Sequence, residues 1–321
     1  MVLDVKKITS AHIFVTGGAG YIGSTLVPLL LENGHRVTVY DIFYYGSESL
    51  LSCSLNPNLH LIKGDIRDEA HLVEAMKDAD YIIHLAGIVG YPACSKDPEL
   101  AISTNVNGTE NIVRNLKPNQ RIIFSSTGSC YGAIPNGYCT EETPINPLSL
   151  YGSTKADGEK LVKEVNGVIL RLATIFGISQ RLRLDLLIND LMFKALTEKT
   201  FDVYEAHFKR TFLHIKDVAR AFLFAIENYE LMKGQVYNVG GDSLNFTKLE
   251  ICNFIREAVQ DCVITPSSQG FDADKRDYKV SYEKIRKLGF EPKISVRDGI
   301  RELKMFLPSI SNEFILKTKN V

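Results

Sequence analysis

The sequence predicts a doubly wound α/β fold: a parallel sheet with helices on both faces, followed by a smaller C-terminal α/β lobe. Three observations carry this. Short β-rich apolar runs alternate with longer stretches of helical period as far as about Gly177; a glycine-rich turn joins the first run to the first helical stretch; and after Gly177 the alternation breaks.

Taken in order, HIFVTG is the first strand and leads through VTGGAGYIGS into an apolar helical stretch. RVTVYD, LHLIKGD, YIIHLAG, RIIFSS and VILRLA follow, each trailed by a helical stretch or a loop. Parallel strands need long, usually helical, crossovers, so this rhythm predicts a sheet covered on both faces. Beyond Gly177 come a helical piece, RLDLLINDLMFKALTEK, a polar stretch, strand-like QVYNVGG, further helices and the charged segment FDADKRDYKVSYEKIRKLGFEP. The expected organisation is a sheet domain over 1–177 with 209–240 returning to it. A second lobe is drawn from 178–208 and 241–307, and the tail 308–321 has little to pack against.

Composition narrows the function. At 321 residues, 45% hydrophobic and 23% charged, the chain reads as an ordinary globular protein with room for two lobes. Lys plus Arg is 37 against 38 for Asp plus Glu, so no whole-protein field holds nucleic acid or an anionic membrane, and an anionic ligand must be gripped locally. MVLDVKKITS lacks the apolar core of a signal peptide, and no apolar run approaches the ~20 residues that cross a bilayer. The expected location is the cytoplasm. The six cysteines show neither a C-x-x-C pair nor clustering with histidine, so no metal site or disulfide framework is expected.

In VTGGAGYIGS, Gly17, Gly20 and Gly23 are spaced three apart between strand and helix. Glycines there let the backbone turn tightly and approach a pyrophosphate, which then meets the amides and positive dipole end of the helix. Alone, the pattern is also that of a plain strand-to-helix turn. RVTVYD, however, ends in Asp41, 24 residues after Gly17, where a carboxylate can take both ribose hydroxyls and repel a 2′-phosphate. Together these predict a Rossmann-type NAD site, with Gly17, Gly20, Tyr21, Ile22, Gly23 and Asp41 as its first residues.

Tyr151 and Lys155, in YGSTK, stand one turn apart on one helix face. Such a pair is usually a solvated surface feature. Behind a nucleotide-binding half-domain it predicts chemistry, because a nearby cation favours the phenolate and makes the phenol a usable base. The run SSTGSCYG then supplies hydroxyls at a strand end, where Thr127 or a neighbouring hydroxyl orients a reacting alcohol while Tyr151 takes its proton.

At this point the chain resembles the extended short-chain dehydrogenase/reductases that act on nucleotide sugars, up to about residue 305. The matching pieces are TGGAGYIGS, GDIRD, HLAG, NVNGT, FSSTGSCYG, EETPINPLSLYGSTK, RLATIFG, RTFLHIKDVARAF, YNVGG and LGFEP. The resemblance implies that Asp65 and Ile66 flank the adenine, Ala86 and Gly87 line the cofactor path, and Asn105 supports the strand beside the site. It implies further that Lys155 holds the nicotinamide ribose, that Tyr151 is the base, and that Arg210 and Arg276 grip a substrate diphosphate. The alternative for the arginines is surface ion pairing, with Asp277 and Asp217 available.

Departures from the family pattern are informative. Where the dehydratase branch keeps an acid pair after its threonine, this chain has Gly128 and Ser129, neither able to serve as a general acid or base; Ser129 is read as a substrate contact. The asparagine of the family's RxxNxxG is Thr174, a second candidate substrate contact. RLATIFGISQRLRLDLLIND is more similar to a subgroup that includes a GDP-heptose C4 dehydrogenase than to the galactose epimerases. Arg181 and Arg183 there approach the nucleotide or sugar, or are surface charges beside Asp185. The expected activity is NAD-dependent oxidation of a nucleotide-diphosphate sugar at C4, as a dehydrogenase or an epimerase. The alternatives are 4,6-dehydration with an acid from elsewhere, Glu141 or Glu142 included, and a non-catalytic nucleotide-binding role. From the resemblance, a homodimer or homotetramer is expected.

Overall fold

The computed structural model describes residues 10–134, 137–270, 277–316, 318 and 320. The chain runs β1 (His12–Thr16), α1 (Gly23–Glu32), β2 (Arg36–Asp41), β3 (Leu59–Lys63), α2 (Glu69–Met76) and β4 (Tyr81–His84). Then come α3 (Tyr91–Lys96), α4 (Pro98–Ile102), a π-helical turn (Ser103–Asn107), α5 (Gly108–Arg114), β5 (Arg121–Thr127), a 3₁₀ turn (Gly128–Tyr131) and β6 (Tyr138–Cys139). They are followed by α6 (Leu150–Glu164), β7 (Val168–Leu172), β8 (Thr174–Phe176), α7 (Leu187–Thr197), β9 (Thr200–Tyr204), β10 (Lys209–His214), α8 (Ile215–Glu227), α9 (Tyr229–Met232) and β11 (Val236–Val239). The last elements are β12 (Asn245–Thr247), α10 (Lys248–Ala258), β13 (Val263–Ser267), β14 (Lys279–Val280), α11 (Glu283–Lys287), α12 (Val296–Phe306) and α13 (Asn312–Leu316).

Among the described residues the main sheet has seven strands in the order β11-β7-β5-β4-β1-β2-β3, every neighbouring pair parallel. Alternation along the strands divides its apolar residues between two cores. Ile13, Val15, Val37, Val39, Ile83, Ile123 and Leu170 belong to one, and Phe14, Tyr40, Ile82, Ile122, Phe124 and Ile169 to the other. α1 meets the first core through Leu26, Val27, Leu30 and Leu31, at helical spacing, and packs beside α8.

Strand order reverses between β1 and β4, and a crevice at the carboxyl ends of such strands is where open α/β sheets bind ligands. Thr16, Asp41, His84 and Thr127 are the last residues of β1, β2, β4 and β5 and therefore share that rim.

The remaining strands form small sheets: β12-β10-β8, the parallel pair β13-β9 and the parallel pair β14-β6. β11, from QVYNVGG, is an edge strand of the main sheet, whereas β10 pairs with β8 and β12. Capping boxes at Thr247/Glu250 and Ser295/Asp298 start α10 and α12. The tail is more engaged than expected: Thr318 is buried and its carbonyl accepts the Leu184 amide at 3.1 Å. A backbone bond to a loop, invisible as sequence pattern, joins Ile310 and Ile315, which pack against the main core, in anchoring it.

Candidate active site

The cofactor side begins where β1 ends. Gly17 has φ +69°, and a Cβ there would lie 2.7 Å from the Ala86 nitrogen, so only glycine lets these two segments meet. The Gly20 amide donates to the Gly17 carbonyl at 3.1 Å, and Gly23 packs on Gly18 with no room for a side chain. α1 starts with Ile22 at its N-cap and no side-chain cap; the Ser24 and Thr25 amides turn back onto the Gly20 and Ile22 carbonyls at 2.9 and 3.1 Å, which leaves the turn just ahead of them, Tyr21 to Gly23, to meet an anion. Tyr21 contributes backbone here, because its hydroxyl donates to the Gly177 carbonyl at 2.7 Å.

Asp41 ties the end of β2 to this loop: Oδ2 accepts from Ala19 N at 3.0 Å and Oδ1 from Phe43 N at 2.8 Å. Burial raises its pKa, and the two amide bonds pull the other way. Each oxygen keeps a lone pair for a hydroxyl. Asp65 is held by Arg67 through a bidentate pair (Nη2 to Oδ2 2.6 Å), which lowers its pKa, and Ile66 is buried against Gly108. Ala86 donates to Thr16 Oγ1 at 3.2 Å, and a Cβ on Gly87 would lie 2.9 Å from Asn105 Oδ1. The close approach at Gly17, the uncapped helix start and the acceptor at Asp41 fit a dinucleotide.

The reaction side is built on α6. Ser149 caps it, its Oγ accepting from Gly152 N at 3.2 Å, which puts Tyr151 in the first turn and Lys155 one turn on. Burial pushes the Tyr151 phenol well above its usual range, while the Thr127 hydroxyl and the Arg183 charge act to lower it. Lys155 is buried with its ammonium 4.7 Å from the Phe124 ring centroid, and burial pulls its pKa down to about 8. Asn105, on the π-helical turn, accepts from Ile88 N at 2.7 Å and donates to Ile88 O at 2.9 Å and to Thr154 at 3.1 Å, joining the β4 loop to α6. Thr127, Tyr151, Lys155 and Asn105 thus converge at the rim.

After Thr127 the chain turns sharply, Ser129 N donating back to Thr127 Oγ1 at 3.2 Å. A Cβ at Gly128 would lie 2.9 Å from the Tyr278 hydroxyl, so a side chain there would have to displace that phenol. Ser129 is buried beside it. Glu141 sits elsewhere: its Oε1 accepts the amide of Asn238 on edge strand β11 at 2.7 Å, and burial raises its pKa. Glu142 lines a cavity with Glu141 and Lys284 at the start of β11.

Behind the rim is a polar network that sequence reasoning missed. Arg171 on β7 forms a buried bidentate pair with Glu159 (Nε to Oε1 2.9 Å, Nη2 to Oε2 2.7 Å), Ser126 donates to Glu159, and Arg171 Nη1 donates to Tyr131 at 3.1 Å. Tyr131 in turn donates to Asn238 Oδ1 at 2.6 Å. Burial works against the Arg171 charge, but Glu159 more than offsets it and the pKa rises. The available signal was an arginine inside the apolar run VILRLA and a glutamate two turns beyond Tyr151. A second chain links Ala86 through Thr16, His84 (Nδ1 to Thr16 Oγ1 2.7 Å) and Thr109 to the Asn105 carbonyl, and burial holds His84 neutral with a pKa of about 3.

The arginines divide. Arg183 makes a bidentate pair with Asp185 (Nη2 to Oδ2 2.6 Å) close enough to Tyr151 to act on its pKa. Arg181 is buried beside Tyr45. Arg210 is buried on β10 opposite Phe246, and Thr174 opens β8 opposite Phe212. Arg276 lies outside the described residues.

Comparison with known proteins agrees with this geometry. The signature of the NAD dependent epimerase/dehydratase family matches residues 13–240. The low-salt glycan biosynthesis protein Agl12 of Haloferax volcanii is 31% identical over 304 residues, covering 90% of this chain and 96% of that one. A putative UDP-glucose 4-epimerase of Methanocaldococcus jannaschii is 29% identical over 311 residues, covering 91% and 96%. Among solved structures, the UDP-glucuronic acid 4-epimerase of Bacillus cereus in complex with UDP-glucuronic acid and NAD superimposes with a TM-score of 0.84 at 27% identity, covering 92% of this chain and 99% of that one. The dTDP-glucose 4,6-dehydratase DesIV of Streptomyces venezuelae, with NAD and TYD bound, gives 0.80 at 25%, covering 93% and 97%. No described helix is long and apolar enough to cross a membrane. With a seven-stranded parallel sheet, a glycine turn shaped for a dinucleotide and relatives of this kind over nearly its whole length, the chain belongs to the NAD dependent epimerase/dehydratase family, enzymes of the extended short-chain type that work on nucleotide sugars with NAD.

Proposed function

We propose that the enzyme oxidises a nucleotide-diphosphate sugar at C4, as a 4-epimerase or 4-dehydrogenase, and does not dehydrate it. The observation that carries this is the end of β5, where Gly128 and Ser129 stand and the Tyr278 hydroxyl closes on Gly128, beside a complete Thr127, Tyr151 and Lys155 set. NAD supplies the hydride acceptor. Gly17 and Gly20 shape the turn that lets its pyrophosphate approach, Tyr21, Ile22 and Gly23 hold that pyrophosphate through backbone amides, Asp41 holds its adenosine ribose, Asp65 and Ile66 its adenine, and Ala86, Gly87 and Asn105 shape the path to the reacting centre. Lys155 binds the nicotinamide ribose and, with its charge one turn from Tyr151, favours the phenolate. Tyr151 takes the C4 hydroxyl proton while Thr127 fixes that hydroxyl in line.

Elimination of water across C5 and C6 asks in addition for a carboxyl group near each carbon, and general acid-base help of that kind is worth ~10²–10⁴ in rate per group. Glu141, the nearest acid in sequence, is committed to the Asn238 amide. Ser129, Thr174, Arg183, Arg210 and Arg276 are read as the substrate side. The sheet and its returning segment 209–240 form the cofactor domain, with 178–208 and 241–307 as the substrate lobe, and subunits pair as a homodimer or homotetramer in the cytoplasm.

The test is incubation with UDP-, GDP- and TDP-sugars in deuterated water, followed by mass spectrometry. A product of unchanged mass, or lighter by two hydrogens, is expected. A dominant product lighter by one water overturns the reading and returns attention to Glu141, Glu142 or another acid.

A further inference from the structure

Arg181 lies between β8 and α7 and is 7% exposed. Its backbone amide donates to Ser24 Oγ at 3.2 Å, and Ser179 donates to the Tyr21 carbonyl at 2.7 Å, so the segment is pinned to the first turn of α1. From the other side comes Tyr45, on the loop that follows Asp41, with the Arg181 guanidinium 3.9 Å from its ring centroid. The side chain therefore bridges the two segments that flank the open end of α1.

Among the described residues its charge is not matched there. Nη1 donates to the Leu182 carbonyl and Nη2 to Asn320 Oδ1, each at 2.8 Å, the Tyr45 side chain is a further hydrogen-bonding neighbour, all of them neutral groups, and Nε has no hydrogen-bond partner among the described residues. The carboxylate that acts on it is that of Asp185, whose two oxygens are taken by Arg183 at 3.1 and 2.6 Å. Burial lowers the pKa of Arg181, and the neighbouring Arg183 adds to this. A buried cation with neutral acceptors and an idle N–H is costly until a counter-charge arrives.

We propose that Arg181 is a cofactor-binding residue: its guanidinium takes the pyrophosphate of NAD at the open end of α1, with Tyr45 stacked on it to hold the fork in place. Helix amides and an arginine fork are complementary donors for one diphosphate. Substrate and cofactor both carry a diphosphate; the anchorage on Ser24 and the stacking on the Asp41 loop assign Arg181 to the cofactor's.

The experiment uses full-length protein stripped of nucleotide, with Arg181→Met beside the wild type. Calorimetric titrations with NAD, ADP-ribose, UDP, GDP and TDP are combined with melting curves with and without NAD. Arg181→Met is expected to weaken NAD and ADP-ribose by about tenfold or more while leaving nucleoside diphosphates within about twofold. Its nucleotide-free melting temperature should equal or exceed that of the wild type, because an uncompensated charge has gone, and the gain on adding NAD should shrink. Unchanged NAD affinity overturns the proposal. So does loss of nucleoside-diphosphate affinity in its place, which would mark a substrate contact, or a lower nucleotide-free melting temperature with the full NAD gain, which would mark a structural residue. Should Arg181→Met not fold, Arg181→Lys decides: it keeps charge without the fork, so a selective loss for NAD supports the proposal and an unchanged ratio of NAD to nucleoside-diphosphate affinity overturns it.

Discussion

Tyr151, Lys155 and Glu159 stand at successive turns of one face of α6, yet the two ends of that stripe are built on opposite terms. Glu159, near the floor, meets a matched partner in Arg171, with Ser126 and Tyr131 completing the bonding. Lys155 and Tyr151, at the rim, are buried with no carboxylate paired to them among the described residues, and burial moves both away from their charged forms. The same contrast separates two of the buried arginines, Arg171 with an acceptor on each nitrogen and Arg181 with an Nε that is idle among the described residues. Burial alone therefore does not mark function. A buried charge whose partners are complete holds the fold, and one whose partners are missing is poised for a ligand or a proton.

The sharpest way to break this comparison is at the rim. Tyr151→Phe should lower the rate of bound NADH formation by ~10²–10⁴ or more with the melting temperature almost unchanged, because the ring still packs and only the proton acceptor has gone. Activity within a few-fold of the wild type would show that another group is the base. At the floor the expectation reverses. Glu159→Leu strands the Arg171 charge and should cost about 3–5 kcal/mol of stability by denaturant unfolding, whereas Glu159→Leu combined with Arg171→Met should recover most of it. If the double variant were no better than the single one, the pair would not be the unit described.

A smaller effect distinguishes Lys155 by pH. Its folded pKa of about 8 lies below the unfolded value near ~10.4, so the unfolded chain binds more protons between the two and the stability of nucleotide-free protein rises with pH across that window. Lys155→Met should therefore be the more stable protein below about pH 8, with the advantage shrinking as the pH climbs. An advantage that does not change with pH would mean the lysine is not desolvated. Last, Asp41→Ser should narrow the preference for NAD over NADP by about tenfold, since it removes the charge that faces a 2′-phosphate but keeps an acceptor for one of the two loop amides. Equal binding of both dinucleotides by the wild type would sink this expectation.

The strand and helix rhythm, the glycine turn with its distal Asp41, and the Tyr151–Lys155 pair were legible in the sequence because each is local. Period, turn chemistry and a one-turn spacing are written within a few residues, and the acid follows at a distance that one βαβ unit imposes. The absence of an acid at Gly128 and Ser129 was legible for the same reason. Only the tertiary structure decided that Tyr278, 150 positions further on, fills the space beside Gly128, that Glu141 serves the edge of β11, and that Arg171 finds Glu159 while Arg181 finds Tyr45 and the tail. These are contacts between distant segments, and a charged residue carries no mark in sequence of whether its countercharge folds to meet it. Pairing is a property of which surfaces the sheet brings together, so the chemistry of each buried charge became readable only once the chain had closed around it.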